Sequence, residues 1–235
     1  MEKILTMLTD LIKYVPQYLS MIGSLATEPR TYLRASIGQD TDENLQKAFT
    51  FAALSFVIAQ LLLLPNYKQS DQFIRTLIYS AAFAIVMYVY IFIAISAAWR
   101  WVGAPLPPKT LLIIVFYWGG VAGLLETVFQ MLEGGIFSIS DSGAYMHWQQ
   151  NMARQKAQYY NAETARFFLF INRWATLFLA LSICVWSIAP WQALVTASNT
   201  TRKQSICALG IFIILFILIG TIVVLAGASS FFLNG

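Results

Sequence analysis

The sequence predicts an all-α membrane protein in which five transmembrane helices follow an amphipathic helix at the membrane surface. Of the 235 residues, 58% are hydrophobic and only 11% are charged, whereas soluble domains average about 25% charged residues. The mean hydropathy is +0.65. So few charges cannot cover the surface of a soluble domain of this length. The 2 Cys residues also exclude a secreted disulfide scaffold.

Five apolar runs lie between charged residues and have the length of about 20 residues that a membrane span requires. The first run is the shortest and contains Gln60, while the third and fourth each contain one charge, Glu126 and Arg173. We expect an interfacial and cytoplasmic segment at residues 1–45 and a transmembrane domain at residues 46–235. The predicted spans are residues 48–65, 76–99, 110–132, 167–190 and 206–228.

The basic residues of the loops predict the orientation, because Lys and Arg accumulate on the cytoplasmic side of a membrane. A cytoplasmic N-terminus places the larger group inside: Lys3, Lys13, Arg30, Arg34, Lys47, Arg100, Lys109, Arg202 and Lys203. The smaller group then lies outside: Lys68, Arg75, Arg154, Lys156 and Arg166. We therefore expect a multi-pass protein of a prokaryotic cytoplasmic (inner) membrane, with the N-terminus inside and the C-terminus outside.

An amphipathic pattern precedes the first span. Apolar residues recur at steps of three and four, which is the spacing of one helix face: Ile4, Leu8, Leu11, Val15, Tyr18, Ile22 and Leu25. Such a helix is typical of the headgroup region of a membrane, although the same face could pack on a partner chain or on the cytoplasmic loops. Pro16 lacks a backbone N–H and is expected to kink or divide the helix.

A second short helix is predicted after Thr27, whose hydroxyl suits the N-cap position before Pro29. Arg30 and Arg34 are four residues apart and therefore share a face of this helix. We expect them to contact anionic lipid phosphates at the inner surface. The alternative is that they only set the orientation of the chain.

Residues with the spacing of a known reaction centre are scarce, so we predict no enzyme activity, no metal and no cofactor. The single His residue, His147, has no set of further ligands at metal-binding spacing. Cys184 and Cys207 lie in apolar runs of different spans and are expected to be packing residues.

Glu126 and Arg173 are the charges that interrupt apolar spans. Each lies about 8 Å from the centre of its predicted span, on the side of the outer loop. Because intramembrane charges usually pair or face a cavity, we predict a polar pair or pocket joined by Gln60, Gln130 and Asn172. Alternatively, Arg173 extends toward the headgroups and Glu126 is protonated.

Small residues four apart allow helices to approach closely in a membrane. Gly119 and Gly123 have this spacing in the third predicted span, and Ala94 and Ala98 have it in the second. We expect these positions to pack helices within a tight bundle or between copies of the chain.

The order of these features resembles the Yip (Ypt-interacting protein) family, especially its prokaryotic members. Three stretches carry the resemblance: Leu-Ala-Thr-Glu-Pro-Arg-Thr-Tyr-Leu at residues 25–33, Lys-Ala-Phe at 47–49, and Phe-Tyr-Trp-Gly-Gly at 116–120. The resemblance implies five spans after a cytoplasmic segment. The Asp-Leu-x-Gly-Pro segment of eukaryotic members does not occur, so binding of Rab-type GTPases is not implied.

Three functions are consistent with these features, and the third of them is a fragment of a membrane enzyme whose catalysis belongs to a partner subunit. The first is a non-enzymatic membrane organiser or an accessory subunit of a larger membrane complex, with the lipid bilayer and a protein partner or a second copy as its contacts and no nucleic acid. The alternative is a small transporter or lipid-handling protein that uses the polar residues around Glu126 and Arg173.

Overall fold

The computed structural model describes residues 2–38, 41–63, 70–140 and 162–233. All secondary structure in these ranges is helical, which confirms the predicted all-α class for the described part of the chain. Within these ranges, seven helices follow one another. They are α1 (Glu2–Thr27), α2 (Pro29–Gly38), α3 (Thr41–Leu63), α4 (Ser70–Trp101), α5 (Pro108–Ser140), α6 (Ala162–Ser198) and α7 (Arg202–Leu233).

Four helices of the described part are long and apolar enough to cross a membrane. They contain the segments Asp42–Leu63, Leu77–Trp101, Pro108–Glu133 and Phe170–Ser198. Each segment overlaps one of the first four predicted spans. The fifth predicted span, residues 206–228, lies within α7, whose side chains near its C-terminal end are outside the described residues.

Two helices extend further than the sequence pattern predicts. Helix α5 continues through Gly134 and Gly135 to Ser140, eight residues beyond the predicted end of the third span. Helix α6 continues through Pro190 to Ser198, eight residues beyond the predicted end of the fourth span. A helix continues through a buried proline when packing compensates for the lost backbone hydrogen bond, and Pro190 is fully buried.

The chain divides into two compact units. Unit 1 comprises Met1–Thr50, Ala82–Tyr117 and Ala189–Gly235, and unit 2 comprises Phe51–Ala81 and Trp118–Ile188. Helices α3, α4, α5 and α6 each contribute residues to both units.

In unit 1, α1 runs without interruption through Pro16, and one non-helical residue, Glu28, separates it from α2. Thr27 does not cap α2 as expected: its hydroxyl donates a hydrogen bond back to the carbonyl of Gly23, at 2.8 Å. The buried residues of this segment are Tyr18, Met21, Leu25, Leu33 and Ser36. One face of α1 and α2 therefore packs against protein.

Two helices have capped ends at the same end of unit 1. We call this end, where α4 ends near Gly103 and α7 begins after Thr201, the capped end. Gly103 takes a left-handed φ of 75° after α4, and the Ala104 N–H donates to the Trp99 carbonyl at 3.0 Å. This is the Schellman arrangement that satisfies the last carbonyls of a helix. At the start of α7, Thr201 and Gln204 form a reciprocal capping box, with the Thr201 N–H donating to Gln204 Oε1 at 3.0 Å and the Gln204 N–H donating to Thr201 Oγ1 at 3.3 Å.

Side-chain contacts join different helices at the capped end. The Gln204 side chain donates to the Val102 carbonyl at 3.4 Å, which links the start of α7 to the end of α4. Lys109 at the start of α5 forms an ion pair with Asp42 at the start of α3. In unit 1, therefore, α3, α5 and α7 begin where α4 ends, as expected for helices that run alternately up and down.

A buried aromatic cluster joins α4, α6 and α7 in unit 1. The rings of Trp99 and Trp191 have centroids 5.5 Å apart, and the Trp191 ring lies 5.9 Å from that of Phe212. Trp191 Nε1 donates to Ser205 Oγ at 3.1 Å. Farther along α7, Tyr90 stacks on Phe216 at 5.2 Å.

In unit 2, α3 and α5 are in close contact at Gly120. A Cβ atom at this position would lie 2.8 Å from Phe51 Cε1 and 3.3 Å from Ser55 Oγ. Only glycine leaves room for the Phe51 ring at this distance. The contact therefore explains why a glycine stands at position 120 of an otherwise apolar span.

Candidate functional site

The polar residues near the C-terminal end of α5 make two side-chain contacts in unit 2. Gln130 Nε2 donates to Glu126 Oε1 at 3.2 Å, one turn apart on the same helix. Asn172 Nδ2 of α6 donates to Glu133 Oε1 of α5 at 2.8 Å. Three of the five residues of the predicted polar group thus take part in these contacts, together with Glu133.

Two hydrogen bonds define how α5 and α6 run past each other. Trp118 Nε1 donates to Ser187 Oγ at 2.9 Å, and Asn172 donates to Glu133. From Trp118 to Glu133, α5 advances by the same number of residues as separates Ser187 from Asn172 on α6. The two helices are therefore antiparallel, and their residues stay level with each other along this stretch. In this register Glu126 lies level with Leu179, which is six residues beyond Arg173.

Glu126 and Arg173 therefore lie at different depths, in contrast to the expectation from the span centres. Six residues correspond to about 9 Å along a helix. Helical side chains also lean toward the N-terminus of their own helix, and this moves the two charged groups farther apart because α5 and α6 are antiparallel. The described residues include no ion pair between Glu126 and Arg173.

Arg173 and Glu126 are both exposed, in different surroundings. Arg173 lies three residues after the start of the candidate span Phe170–Ser198, so its long side chain can reach the headgroup level. Glu126 lies seven residues before the end of the span Pro108–Glu133, about 10 Å inside it. Glu126 therefore lies deeper in its candidate span than Arg173 lies in its own.

Gln60 is separate from these contacts. Its Oε1 atom is buried and has no hydrogen-bond partner within the described residues. A buried acceptor without a donor costs about 1–3 kcal/mol.

Helix α2 is attached to α5 in unit 1 by an aromatic and hydrogen-bonded contact. The Tyr32 and Tyr117 hydroxyl oxygens are 3.1 Å apart, and the two rings meet edge to face with centroids 5.5 Å apart. Leu33 on the same helix is fully buried. Ser36 lies one turn farther along α2, where its hydroxyl donates to the Tyr32 carbonyl at 2.9 Å.

The other face of α2 carries the two arginines that were expected to contact lipid. Arg30 and Arg34 are both exposed. Further exposed basic residues stand at helix ends of the capped end, namely Arg100, Arg202 and Lys203. This end of unit 1 is therefore basic.

The small residues of the two spans have different environments. Ala94 and Ala98 are fully buried in unit 1. In unit 2, Gly123 has no atom within 4 Å of a Cβ built on it, whereas its neighbour Gly120 is in tight contact with α3. The surface of α5 at Gly123 is therefore open within the described residues, and it lies beside the surface at Gly120 that packs on α3.

The sequence analysis did not identify several residues of these contacts: Glu133, Tyr32, Tyr117, Ser36, Trp118 and Ser187. Glu133 was counted as the end of a span, although it lies seven residues after Glu126 and hence on the same helix face. That spacing was a usable signal. The sequence contains no corresponding signal that Tyr32 would meet Tyr117.

No group of three or more His, Cys, Asp and Glu residues that could hold a metal ion occurs within the ranges that the structure describes. His147 lies outside those ranges. No family model, curated protein or solved structure matches the chain.

Proposed function

We propose that this chain is a multi-pass membrane protein that catalyses no reaction and acts as a membrane organiser or as an accessory subunit of a larger membrane complex. The apolar helices support the membrane location, because large apolar side chains cover their outer faces. Examples are Phe83, Ile85, Phe178 and Val185, which are each more than half exposed. A surface of this kind is stable in lipid and aggregates in water.

The attachment of α2 to α5 is the observation that carries the organising role. Tyr117 lies nine residues after Pro108, about 14 Å along α5, and its side chain leans back toward the start of the helix. Its hydroxyl, and with it α2, then lies about 5–10 Å below the membrane surface, which is the depth of interfacial helices. Such a helix displaces lipid on one side of the bilayer and offers Arg30 and Arg34 to headgroups.

We further propose five spans, with α7 as the fifth, and a cytoplasmic N-terminus in a prokaryotic inner membrane. The alternating direction of α3 to α7 at the capped end supports five spans. The basic residues of the capped end support its cytoplasmic location. We also propose that the chain is a prokaryotic member of the Yip family, because residues 25–33 and 116–120 resemble that family.

Co-purification tests the accessory-subunit role. The wild-type chain and a Leu33→Asp variant, which detaches α2, are isolated in mild detergent and their associated proteins are identified by mass spectrometry. We expect a stoichiometric membrane partner with the wild type and its loss from the variant. A Thr31→Asp variant, at an exposed position of α2, is the control for added charge. Recovery of the wild-type chain alone contradicts the subunit role.

A transporter or lipid-handling protein is the second candidate, supported by the polar contacts of Glu126 with Gln130 and of Glu133 with Asn172. In this role Glu126 binds a polar ligand or a proton within the membrane. Proton flux into vesicles that contain the purified chain tests it. Flux that is abolished by Glu126→Gln supports transport, and equal flux in vesicles with and without the protein contradicts it.

A further inference from the structure

We infer that the face of α5 that carries Glu126 and Gln130 binds a second copy of this chain in the membrane. The inference rests on the proposed membrane location. It concerns the face defined by Gly119, Gly123, Glu126 and Gln130, which we call the α5 polar face. These residues follow at steps of four, three and four and therefore form one continuous stripe along the helix.

The α5 polar face is not packed within the described part of unit 2. Glu126 and Gln130 are exposed, Gly119 and Gly123 are partly exposed, and nothing lies within 4 Å of a Cβ built on Gly123. Gly120, three residues before Gly123, touches Phe51 of α3, so the contact with α3 lies beside the α5 polar face. The bond of Glu133 to Asn172 of α6 lies just beyond the C-terminal end of that face.

Lipid cannot satisfy this face. Glu126 lies about 10 Å inside its span, where acyl chains offer no hydrogen bonds and exposed polar groups are costly. The contact with Gln130 satisfies one carboxylate oxygen, but the second oxygen of Glu126 and the remaining amide groups of Gln130 also need partners. The energetic cost of leaving these groups without hydrogen bonds favours contact with a protein surface. That surface supplies both hydrogen-bond donors and acceptors at this depth.

A second copy supplies them by symmetry. In a two-fold dimer whose axis is perpendicular to the membrane, each residue meets the partner at the same depth. The amide nitrogen of Gln130 can then donate to Glu126 of the other copy, and the Gln130 carbonyl can accept from the other amide. Gly119 and Gly123 let the two α5 helices approach closely at the adjacent turns. The face is thus complementary to itself in hydrogen bonding and in shape.

Cysteine cross-linking and subunit counting test this dimer in the full chain. Cys184 and Cys207 are first replaced by Ser, and Gly123→Cys is compared with Val128→Cys, which is 47% exposed on another side of α5. In dilute vesicles of phosphatidylethanolamine and phosphatidylglycerol, we expect oxidation to link Gly123→Cys into a dimer and to leave Val128→Cys unlinked. Equal linking of both variants, or of neither, contradicts the inference.

Polar-face variants provide the second measurement, since Gly123→Cys could associate through its own thiol. We expect Gln130→Leu and Glu126→Leu each to weaken the dimer about tenfold by single-molecule subunit counting, and Glu126→Gln to retain it, because an amide still donates and accepts. A Leu177→Ala variant on the exposed surface of α6 is the control. A dimer that persists unchanged in both leucine variants, or a wild type that is monomeric at every density, overturns the inference.

Alkaline extraction separates failure of the dimer from failure of the membrane location. A monomer that stays in the membrane after this treatment refutes only the dimer, whereas a chain that is released refutes the membrane location.

Discussion

The hydroxyl groups of Tyr32 and Tyr117 lie 3.1 Å apart although 85 residues separate them in the sequence. Tyr117 is 1% exposed, and its ring meets the edge of the Tyr32 ring. The contact joins a helix that precedes the spans to the interior of a spanning helix. It therefore fixes α2 against α5 and, through the junction at Glu28, the position at which α1 ends.

Removal of either hydroxyl should weaken this attachment. We expect Tyr32→Phe and Tyr117→Phe each to destabilise the protein by about 1–2 kcal/mol, because the remaining hydroxyl loses a partner in a buried site. The double variant should cost less than the sum of the two single variants, with a coupling of about 1 kcal/mol. Denaturant unfolding in detergent micelles measures these energies. Strictly additive effects would show that the two hydroxyls do not interact.

Gly120 should tolerate no side chain, whereas Gly123 should accept one. We expect Gly120→Ala to destabilise the protein by about 1–3 kcal/mol, because the added methyl group would lie 2.8 Å from the Phe51 ring. Gly123→Ala should leave stability unchanged or raise it by up to about 1 kcal/mol through helix propensity.

Thermal unfolding of the two glycine variants provides the comparison, with Phe51→Leu in the Gly120→Ala background as a rescue. A smaller side chain at position 51 removes the clash and should restore part of the loss. Equal stability of Gly120→Ala and Gly123→Ala would contradict the described packing of α3 on α5.

The hydrogen bond between Trp118 and Ser187 should hold α5 and α6 in register. We expect Ser187→Ala to cost about 0.6–1.7 kcal/mol, as interhelical hydrogen bonds do in membrane proteins. Ser182→Ala is a matched control, because the Ser182 hydroxyl donates only to the Phe178 carbonyl of its own helix. A loss of stability of the same size in both variants would argue against a specific interhelical role for Ser187.

The capping box at the start of α7 should stabilise the capped end. Thr201→Ala removes the acceptor of the Gln204 N–H and is expected to cost about 1 kcal/mol. Hydrogen exchange should accelerate at the first amides of α7. Thr196→Ala, in the last turn of α6, provides the control because the Thr196 hydroxyl bonds only to the Gln192 carbonyl of the preceding turn. Unchanged exchange in Thr201→Ala would exclude the cap as a source of stability.

The sequence predicts the helices of this chain well because apolar runs and charges determine which segments suit a membrane. It predicts helix ends less well: Gly134 and Pro190, which usually interrupt helices, lie inside α5 and α6. Packing on neighbouring helices stabilises these segments, and a single sequence does not contain that information.

The polar residues near Glu126 show a second limit of prediction from the sequence. These residues were identified by their polarity within apolar runs, and three of them take part in contacts. The pairing of Glu126 with Arg173 was expected from span centres, but the longer α6 moves its centre and the register places Arg173 about 9 Å from the level of Glu126. Register depends on individual bonds such as that of Asn172 with Glu133, which composition does not reveal.

The central claim is that the chain is a multi-pass membrane protein whose capped end and α2 are cytoplasmic. Labelling of single cysteines in intact cells tests this claim most directly. In a background with Cys184→Ser and Cys207→Ser, a membrane-impermeant maleimide is applied to Arg34→Cys, Lys203→Cys and Gly135→Cys. We expect immediate labelling only of Gly135→Cys, which lies beyond the end of the span Pro108–Glu133, and labelling of the other two only after the membrane is permeabilised. Labelling of Arg34→Cys or Lys203→Cys in intact cells would contradict the account.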